Sequence, residues 1–403
     1  MSAGNMLVAQ GGGPTAVINC SLVAVIEEVK RRQVKGTGKI VGALRSIDGL
    51  IDEDFIDLGK ERPSNLKKIC EAPGAALGSC RRKMKEEDYA LILEIFKKYD
   101  IRYFFYIGGN GSMHTANAVY KLAIEIGYDL NVVGIPKTID NDLAHTDHTP
   151  GFGSAARFIA STTREIGLDI KSLPTPISII ETPGRNAGWL AAASSLAKEE
   201  EGDAPNFIYM PERELKLDGF LSDVESSYAK YGRAVIVVSE GIKDESGHYL
   251  GAVKSEASRD GFGRGLPGGV AAYLAEKVSD ILKLRARYEK PGLGARTSVK
   301  YISEVDRKEA LLVGKKAVSL ALKGMSGIMV TLEREKSKKY ICKTGTVPLE
   351  HVAIAEKLIP PEFINANGNY VTDAFINYCV PLIGKPIQSF PSLIGHKLRI
   401  YHS

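Results

Sequence analysis

The sequence predicts an α/β fold of two doubly wound lobes whose sheets are mainly parallel. Three observations support this prediction: the 403-residue length, the alternation of apolar strand patterns with helical patterns, and polar or glycine-rich turns at strand ends. A chain of this length exceeds the usual size of one domain, so two lobes are expected. Apolar strands that alternate with helices are typical of a parallel sheet covered on both faces.

The predicted strands are short apolar runs, several of them rich in β-branched or aromatic residues. They span residues 6–9, 40–44, 102–107, 131–135, 177–181, 207–210 and 234–238. Helical patterns follow the first and third runs, at residues 16–29 and 113–126. Another helical pattern, at 350–358, precedes Pro360 and Pro361, which should end it. That last segment suggests structural packing or an oligomer surface, and we infer no chemistry from it.

Glycine clusters follow two of the predicted strands. Residues 11–15 are Gly-Gly-Gly-Pro-Thr, and residues 108–112 are Gly-Gly-Asn-Gly-Ser. Glycines at a strand-to-helix turn let backbone N–H groups approach phosphate oxygens, and the helix dipole favours the anion. Neither cluster ends as a Walker A loop does. Each cluster alone could be a tight turn, but together they favour a phosphate site.

Residues 136–142, Pro-Lys-Thr-Ile-Asp-Asn-Asp, follow the strand at 131–135. The crevice at the carboxyl end of a parallel strand is where open α/β sheets bind ligands. Two carboxylates next to a lysine and a hydroxyl suit phosphoryl transfer: one carboxylate can accept a proton, another can hold Mg²⁺, and the cation can neutralise phosphate oxygens. A polar loop with helix-capping aspartates is the alternative.

Composition agrees with an enzyme that binds neither nucleic acid nor membranes. The 53 basic and 48 acidic residues are intermixed and give a formal charge of +5, too small to indicate nucleic-acid binding. Five scattered cysteines without metal-ligand spacing are typical of reduced thiols. The N-terminus lacks signal-peptide regions, and no apolar stretch is long enough to cross a bilayer. A cytoplasmic protein is therefore expected.

An ordered set of motifs gives the chain a resemblance to the phosphofructokinase family, from about residue 6 to about residue 320. The motifs lie at residues 11–19, 77–81, 108–112, 136–142, 147–153, 184–189 and 238–241. The first and fifth look most like the pyrophosphate-dependent branch. The resemblance implies a phosphofructokinase-like fold with a donor lobe at 1–150, a sugar-phosphate lobe at 151–320, and a segment at 321–403 that crosses back to or packs on the lobes.

The resemblance implies Mg²⁺-dependent phosphorylation of the 1-hydroxyl of fructose 6-phosphate, a step of glycolysis. Asp140 matches the family's catalytic base, Thr138 should bond the substrate or the moving phosphoryl group, and Arg81 matches an arginine on the donor phosphate. Asp142 and Asn110 are the candidates near Mg²⁺. The donor-binding set is completed by Gly11, Gly12, Gly13, Gly78, Gly108, Gly109, Gly111 and Ser112.

For the sugar phosphate, the resemblance points to Gly184, Arg185 and Glu240. Arg287 and Arg296 match two arginines that bind the 6-phosphate. In the family the first of them comes from a neighbouring subunit, so a homo-oligomer, a dimer or tetramer, is expected. Tyr288 is a further candidate contact, with a core tyrosine as its alternative.

Several positions depart from the family pattern. Pro183 replaces a methionine, Pro176 replaces an intersubunit arginine, and the segment ending at Arg296 is altered. Asn110-Gly111 contains no carboxylate. Gly111 leaves room for the α-phosphate of ATP, whereas Lys137 can bind pyrophosphate. Both donors therefore remain candidates at this point.

Two alternatives follow from these departures. The altered arginines and Pro183 could widen the pocket for a related sugar phosphate such as sedoheptulose 7-phosphate. A catalytically weak paralogue could instead bind sugar phosphate or nucleotide for regulation.

Overall fold

The computed structural model describes residues 4–32, 37–251, 269–337, 339–391 and 393. Within them, one seven-stranded sheet has the order β11-β10-β5-β4-β1-β2-β3. Its strands are β1 (Gly4–Gln10), β2 (Thr37–Ala43), β3 (Phe55–Asp57), β4 (Ile101–Gly108), β5 (Asn131–Pro136), β10 (Ile328–Arg334) and β11 (Cys342–Pro348). Only the outermost pairs, β2 with β3 and β10 with β11, are antiparallel.

A second sheet has the order β7-β8-β6-β9, and all its pairs are parallel. It comprises β6 (Ile177–Thr182), β7 (Phe207–Tyr209), β8 (Ala234–Ser239) and β9 (Ala286–Glu289). The two sheets confirm the predicted α/β fold with mainly parallel strands. Residues 394–403 of the predicted C-terminal segment lie outside the described residues.

Helices connect the strands and cover the sheets. Their bounds are α1 (Ile18–Arg32), α2 (Ile47–Ile51), α3 (Pro63–Glu71), α4 (Glu86–Lys98), α5 (Asn110–Glu125), α6 (Phe152–Ser172), α7 (Trp189–Ala193), α8 (Leu217–Tyr231), α9 (Val270–Lys277), α10 (Gly294–Thr297), α11 (Glu304–Ala321), α12 (Leu349–Ala353) and α13 (Asp373–Cys379). None of these helices is long and apolar enough to cross a membrane.

Both faces of the central strands are buried, which explains why their sequences are continuously apolar. In β4, Phe105 packs with α1 and α11 on one face, while its neighbour Phe104 packs with α4 and α5 on the other. Successive strand residues point to opposite faces, so each contributes to a different core.

Buried amides fix the first glycine loop above β1. Gln10 Nε2 donates to Asn19 Oδ1, and Asn19 Nδ2 donates to the carbonyl oxygens of Ala72 and Gly74. The backbone N–H of Leu77 donates to Gln10 Oε1. These bonds hold the segment that carries Arg81 beside the glycine loop.

The prediction of a helix at 350–358 is wrong in its extent. Helix α12 ends at Ala353 because the backbone then pairs with another segment. Glu356 forms a bridge with Leu143, and the N–H of Lys357 donates to the carbonyl oxygen of Asp142. The C-terminal segment therefore contacts the loop that contains Asp140, the predicted base, and Asp142, the predicted Mg²⁺ neighbour.

Candidate active site

A cavity of about 720 Å³ lies where the carboxyl ends of strands from both sheets meet. Open parallel sheets place ligand sites at such strand ends. The cavity gathers most of the predicted site residues, namely Gly12, Gly13, Arg81, Gly109, Asn110, Gly111, Ser112, Lys137, Thr138, Asp140, Asp142, Arg185, Glu240 and Arg296. These residues come from segments up to 284 positions apart, between Gly12 and Arg296.

The first glycine loop is held from two sides. Ser79 Oγ donates to the carbonyl oxygen of Gly12 at 2.7 Å, and Lys137 Nζ donates to the carbonyl oxygen of Gly13 at 2.6 Å. Gly12 has a φ of 73°, in the region that favours glycine. A Cβ at Gly13 would lie 2.9 Å from Arg296 Nη1, so the loop backbone closely approaches a guanidinium group.

The second glycine loop forms the start of α5. The helix begins at Asn110, three residues earlier than predicted, so its first-turn N–H groups belong to the cavity wall. Such N–H groups and the helix dipole favour a bound phosphate. A Cβ built at Gly111 has no atom within 4 Å, which leaves open space beside this helix end.

Asn110 and Asp142 form an oxygen-rich pair. Asn110 Nδ2 donates to Asp142 Oδ2 at 2.8 Å. The amide oxygen of Asn110, Oδ1, and the second carboxylate oxygen of Asp142, Oδ1, are both buried without a hydrogen-bond partner in the described structure. Two unpartnered oxygens facing a phosphate cavity fit the oxygen ligands that Mg²⁺ prefers.

The carboxyl groups of Asp140 and Asp142 have raised pKa values. Burial is the largest cause for both; repulsion from Glu240 adds to it at Asp140, and repulsion from Asp140 adds to it at Asp142. The pKa of Asp140 rises to about 6. A carboxyl group with such a pKa is suited to exchange protons near neutral pH.

Lys137 is 3% exposed. Burial lowers the pKa of its ammonium group to about 8, although Asp140 and Asp142 oppose the shift. At neutral pH the side chain remains mainly charged, and it lies between the glycine loop and the carboxylates. The backbone N–H of Asp140 donates to Thr138 Oγ1 at 3.1 Å, which fixes Thr138 beside Asp140.

Arg81 and Arg296 add two guanidinium groups to the same cavity. Burial and then repulsion from Arg81 lower the pKa of Arg296. Its Nε is buried without a partner in the described structure. Two mutually repelling cations and an unused donor indicate a place for an anion.

On the side of the second sheet, Glu240 follows β8 and Gly184 follows β6. The N–H of Gly184 points at Glu240 Oε1 at 3.5 Å, and Gly184 has a φ of 140°. A Cβ at this glycine would lie 2.6 Å from the carbonyl oxygen of Ala187, so only glycine fits. Pro183 and Arg185, on either side of it, both line the cavity.

Some predicted residues do not line the cavity: Gly11, Gly78, Gly108, Gly184, Arg287 and Tyr288. Gly11 and Gly108 lie behind the cavity wall, where a Cβ on either would collide with the side chain of Ser112. Arg287 lies near Asp169 and Thr175 instead. Tyr288 is 56% exposed, so the alternative reading as a core tyrosine is wrong.

Sequence reasoning missed an ion pair in the cavity wall. Lys290 Nζ lies 2.6 Å from an oxygen of Glu181, which is almost completely buried and also accepts hydrogen bonds from the N–H groups of Gly269 and Ala271. Glu181 was included in a predicted strand, but its apolar neighbours gave no sign of a site. Lys290 directly follows β9, a short polar strand that has no apolar pattern.

Sequence reasoning also missed C-terminal groups that contact the loop after β5, residues 137–151. Lys357 Nζ donates to the carbonyl oxygens of Thr146 and Asp147, and burial lowers its pKa to about 8. Tyr378 accepts a hydrogen bond from Asn141, which separates the two aspartates and has a φ of 55°. Nothing in the local sequence pattern signals contacts over more than 200 residues.

The phosphofructokinase family model matches residues 5–321. The chain belongs to the phosphofructokinase family. It is 42% identical over 392 residues to a pyrophosphate–fructose 6-phosphate 1-phosphotransferase of Rhodospirillum rubrum, covering 96% of this chain and 95% of that one. It is 35% identical over 366 residues to a sulfofructose kinase of Alkalicoccus urumqiensis, covering 90% and 92%.

The fold agrees with that of a solved family member. The crystal structure of a pyrophosphate-dependent phosphofructokinase from Nitrosospira multiformis superposes with a TM-score of 0.87 at 36% identity, covering 98% of this chain and 95% of that one. The family resemblance and the phosphofructokinase-like fold predicted from the sequence are both confirmed.

Proposed function

We propose that this phosphofructokinase transfers a phosphoryl group from inorganic pyrophosphate to the 1-hydroxyl of D-fructose 6-phosphate and forms fructose 1,6-bisphosphate. One observation carries the proposal: a single cavity holds a carboxyl group with a raised pKa, Asp140, together with a buried lysine and two guanidinium groups. Phosphoryl transfer depends mainly on positioning and on stabilising charge, and this cavity supplies both.

Asp140 is the proposed base. It accepts the proton of the attacking hydroxyl while Thr138 bonds the acceptor or the moving phosphoryl group. Deprotonated Asp140 is available above a pH of about 6, given its raised pKa. Glu240, near the end of β8, accepts hydrogen bonds from sugar hydroxyls.

Lys137, Arg81 and Arg296 stabilise the negative charge of the donor and of the transferred group. Charge-assisted hydrogen bonds to phosphate are about twice as strong as neutral ones. The short bond from Lys137 to the Gly13 carbonyl places its ammonium at the glycine loop, where the donor phosphates would lie.

Asp142 and Asn110 would hold Mg²⁺, because each offers an unpartnered buried oxygen. When bound, the ion supplies positive charge that neutralises donor phosphate oxygens.

Pyrophosphate is the proposed donor because Lys137 is present and because the R. rubrum relative is named for that donor. ATP is a second candidate, favoured by the open space beside Gly111. A cavity of about 720 Å³ is large enough for either donor together with a sugar phosphate.

Sulfofructose is a second candidate acceptor, named in the A. urumqiensis relative. Arg185 and Lys290 line the cavity on the side of the second sheet, where the anionic group of either acceptor would bind. Sedoheptulose 7-phosphate should be tested with it.

The test is to measure product formation from fructose 6-phosphate with pyrophosphate and with ATP separately, in Mg²⁺, and then to exchange the acceptor. We expect fructose 1,6-bisphosphate with pyrophosphate at a higher kcat/KM than with ATP. Product formation with ATP but not with pyrophosphate would overturn the assignment of pyrophosphate as the donor. Binding of fructose 6-phosphate without turnover from either donor or on any acceptor would indicate the regulatory paralogue.

A further inference from the structure

A cluster of metal-binding side chains lies outside the cavity. His148 belongs to the loop after β5, Glu309 to α11 and Cys342 to β11. One ligand atom from each residue, a ring nitrogen, a carboxylate oxygen and Sγ, lies within 4.8 Å of the other two. We propose that they form a binding site for a thiophilic divalent cation of the zinc type.

The histidine is oriented as a metal ligand would be. Its Nδ1 lies 2.7 Å from Asp147 Oδ2, and Asp147 is itself held by Arg334 at 3.1 Å. Metal-binding histidines commonly have one ring nitrogen fixed by a carboxylate while the other faces the ion. The other ring nitrogen of His148, Nε2, faces Glu309 and lies 2.7 Å from its Oε2. The second shell of the proposed site is therefore already in place.

The donor set selects the cation. One imidazole nitrogen, one sulfur and one carboxylate oxygen are typical ligands of Zn²⁺, whereas Mg²⁺ prefers oxygen ligands alone. Tyr340 offers a fourth ligand atom, its hydroxyl oxygen, which donates to Glu309 and lies 3.3 Å from His148 Nε2. The ligand atoms of a tetrahedral Zn²⁺ site lie about 3.3–3.6 Å apart. Nε2 and Oε2, 2.7 Å apart without the ion, would therefore move slightly apart on binding, and Cys342 Sγ lies within 4.8 Å of a ligand atom of each partner.

Cation binding exchanges protons for the ion. His148 and Glu309 are both almost completely buried, and Nε2 and Oε2 share one hydrogen bond of 2.7 Å. A divalent ion displaces the proton of that bond and the Cys342 thiol proton, both to solvent. Two protons leave as one divalent ion enters, so the net charge of the group does not change.

Such an ion would join the β10–β11 hairpin, which carries Cys342, to the loop after β5, which carries His148. None of its three ligands lines the phosphoryl cavity, so the site is separate from the proposed Mg²⁺ position. The carbonyl of Asp147, next to His148, accepts hydrogen bonds from Lys357 and Tyr378, which also contact Asn141. The expected effect is a higher melting temperature, because the ion binds the folded chain.

The experiment is a titration of the metal-free full chain with Co²⁺ and then Zn²⁺, in excess Mg²⁺, followed by absorption and by metal content after dialysis. We expect about one ion per chain and a near-ultraviolet thiolate-to-Co²⁺ band that Zn²⁺ removes. Cys342→Ser should show no such band and should bind Zn²⁺ at least about 10-fold more weakly. Loss of an outer-shell partner already weakens metal affinity by that factor, and Cys342 is a proposed direct ligand.

Cys70→Ser is the matched control, since Cys70 and Cys20 form another thiol pair with Sγ atoms 2.7 Å apart. It should keep both the band and the affinity. Circular dichroism of both variants checks that the fold is retained. A parent that retains neither ion, or a band that disappears in Cys70→Ser and persists in Cys342→Ser, would overturn the proposal.

Discussion

Asp140 and its neighbours show how burial and charge act on one carboxyl group. Burial, Glu240 and Glu356 all raise its pKa, while Lys137 lowers it. Because the base must be deprotonated, kcat/KM should fall as the pH falls through about 6. The ordinary aspartate range near a pH of about 4 would place this loss much lower.

Removing a charge that repels Asp140 should shift the acid limb of the pH profile, the range in which kcat/KM falls as the pH falls. Glu356→Gln is expected to shift the midpoint of the pH profile of kcat/KM to lower pH, since it removes one cause of the raised pKa. Glu362→Gln, an exposed acidic residue of the same segment, is the control and should leave the profile unchanged. An acid limb that stays in place in Glu356→Gln would contradict the electrostatic cause.

Gly111 is the residue at which donor choice can be tested. An aspartate side chain there fits sterically, because a Cβ meets no atom within 4 Å, but its charge would repel the α-phosphate of ATP. Gly111→Asp should therefore lower kcat/KM for ATP relative to pyrophosphate. A change of roughly 10²-fold corresponds to about 2.7 kcal/mol. An unchanged donor ratio would place donor selection elsewhere.

At the scale of elements, the loop after β5, residues 137–151, is held by the C-terminal segment. Asn141, with its left-handed backbone, donates to Tyr378, and Tyr378 donates to the carbonyl oxygen of Asp147. Lys357 binds the same loop from the segment after α12. The position of Asp140 and Asp142 thus depends on residues that follow the second sheet in the chain.

Tyr378→Phe should loosen this loop. Loss of the hydroxyl leaves the buried Asn141 amide without its partner, at a cost of about 1–3 kcal/mol in the free energy of unfolding. We expect lower kcat as well, because the two aspartates flank Asn141. Denaturant unfolding and steady-state kinetics measure both effects. Tyr228→Phe, at a 38% exposed tyrosine, is the control, and equal effects in the two variants would contradict the role of Tyr378.

At the scale of the whole molecule, the position of Arg287 is the basis for predicting a homo-oligomer. It lies on β9, an edge strand of the second sheet, outside the cavity of its own chain. Tyr288 on this strand is exposed, as are apolar side chains on the flanking stretches of the chain, Ile281, Leu293 and Val299. We predict a homo-oligomer in which Arg287 serves the site of a neighbouring subunit, consistent with the symmetry of most soluble oligomers.

Mixing two inactive variants tests this arrangement. In a dimer of one Arg287→Ala chain and one Asp140→Ser chain, one of the two sites would combine an intact Asp140 with an intact Arg287. Part of the activity should return after co-expression and be absent from either variant alone. Light scattering gives the mass of the assembly. Co-expressed mixed assemblies that remain inactive, or a fully active monomer, would contradict a shared site.

The sequence predicts those parts of the molecule that depend on neighbouring residues in the chain. Central strands such as β4 and β5 are buried on both faces and therefore continuously apolar, and the motif at 136–142 follows β5 directly. Strand β9, with the polar sequence Ala-Arg-Tyr-Glu, carries no such pattern. Lys290, Lys357 and Tyr378 reach the site or its loop only through the tertiary fold, so no spacing in the sequence could indicate them.

The most direct test of the central claim is the kcat of Asp140→Ser with saturating fructose 6-phosphate and pyrophosphate, measured alongside sugar-phosphate binding by calorimetry. If Asp140 is the base of phosphoryl transfer, kcat should fall by roughly 10²- to 10⁴-fold, while the Kd for fructose 6-phosphate changes little. A kcat near that of the parent, with binding intact, would show that another group accepts the proton.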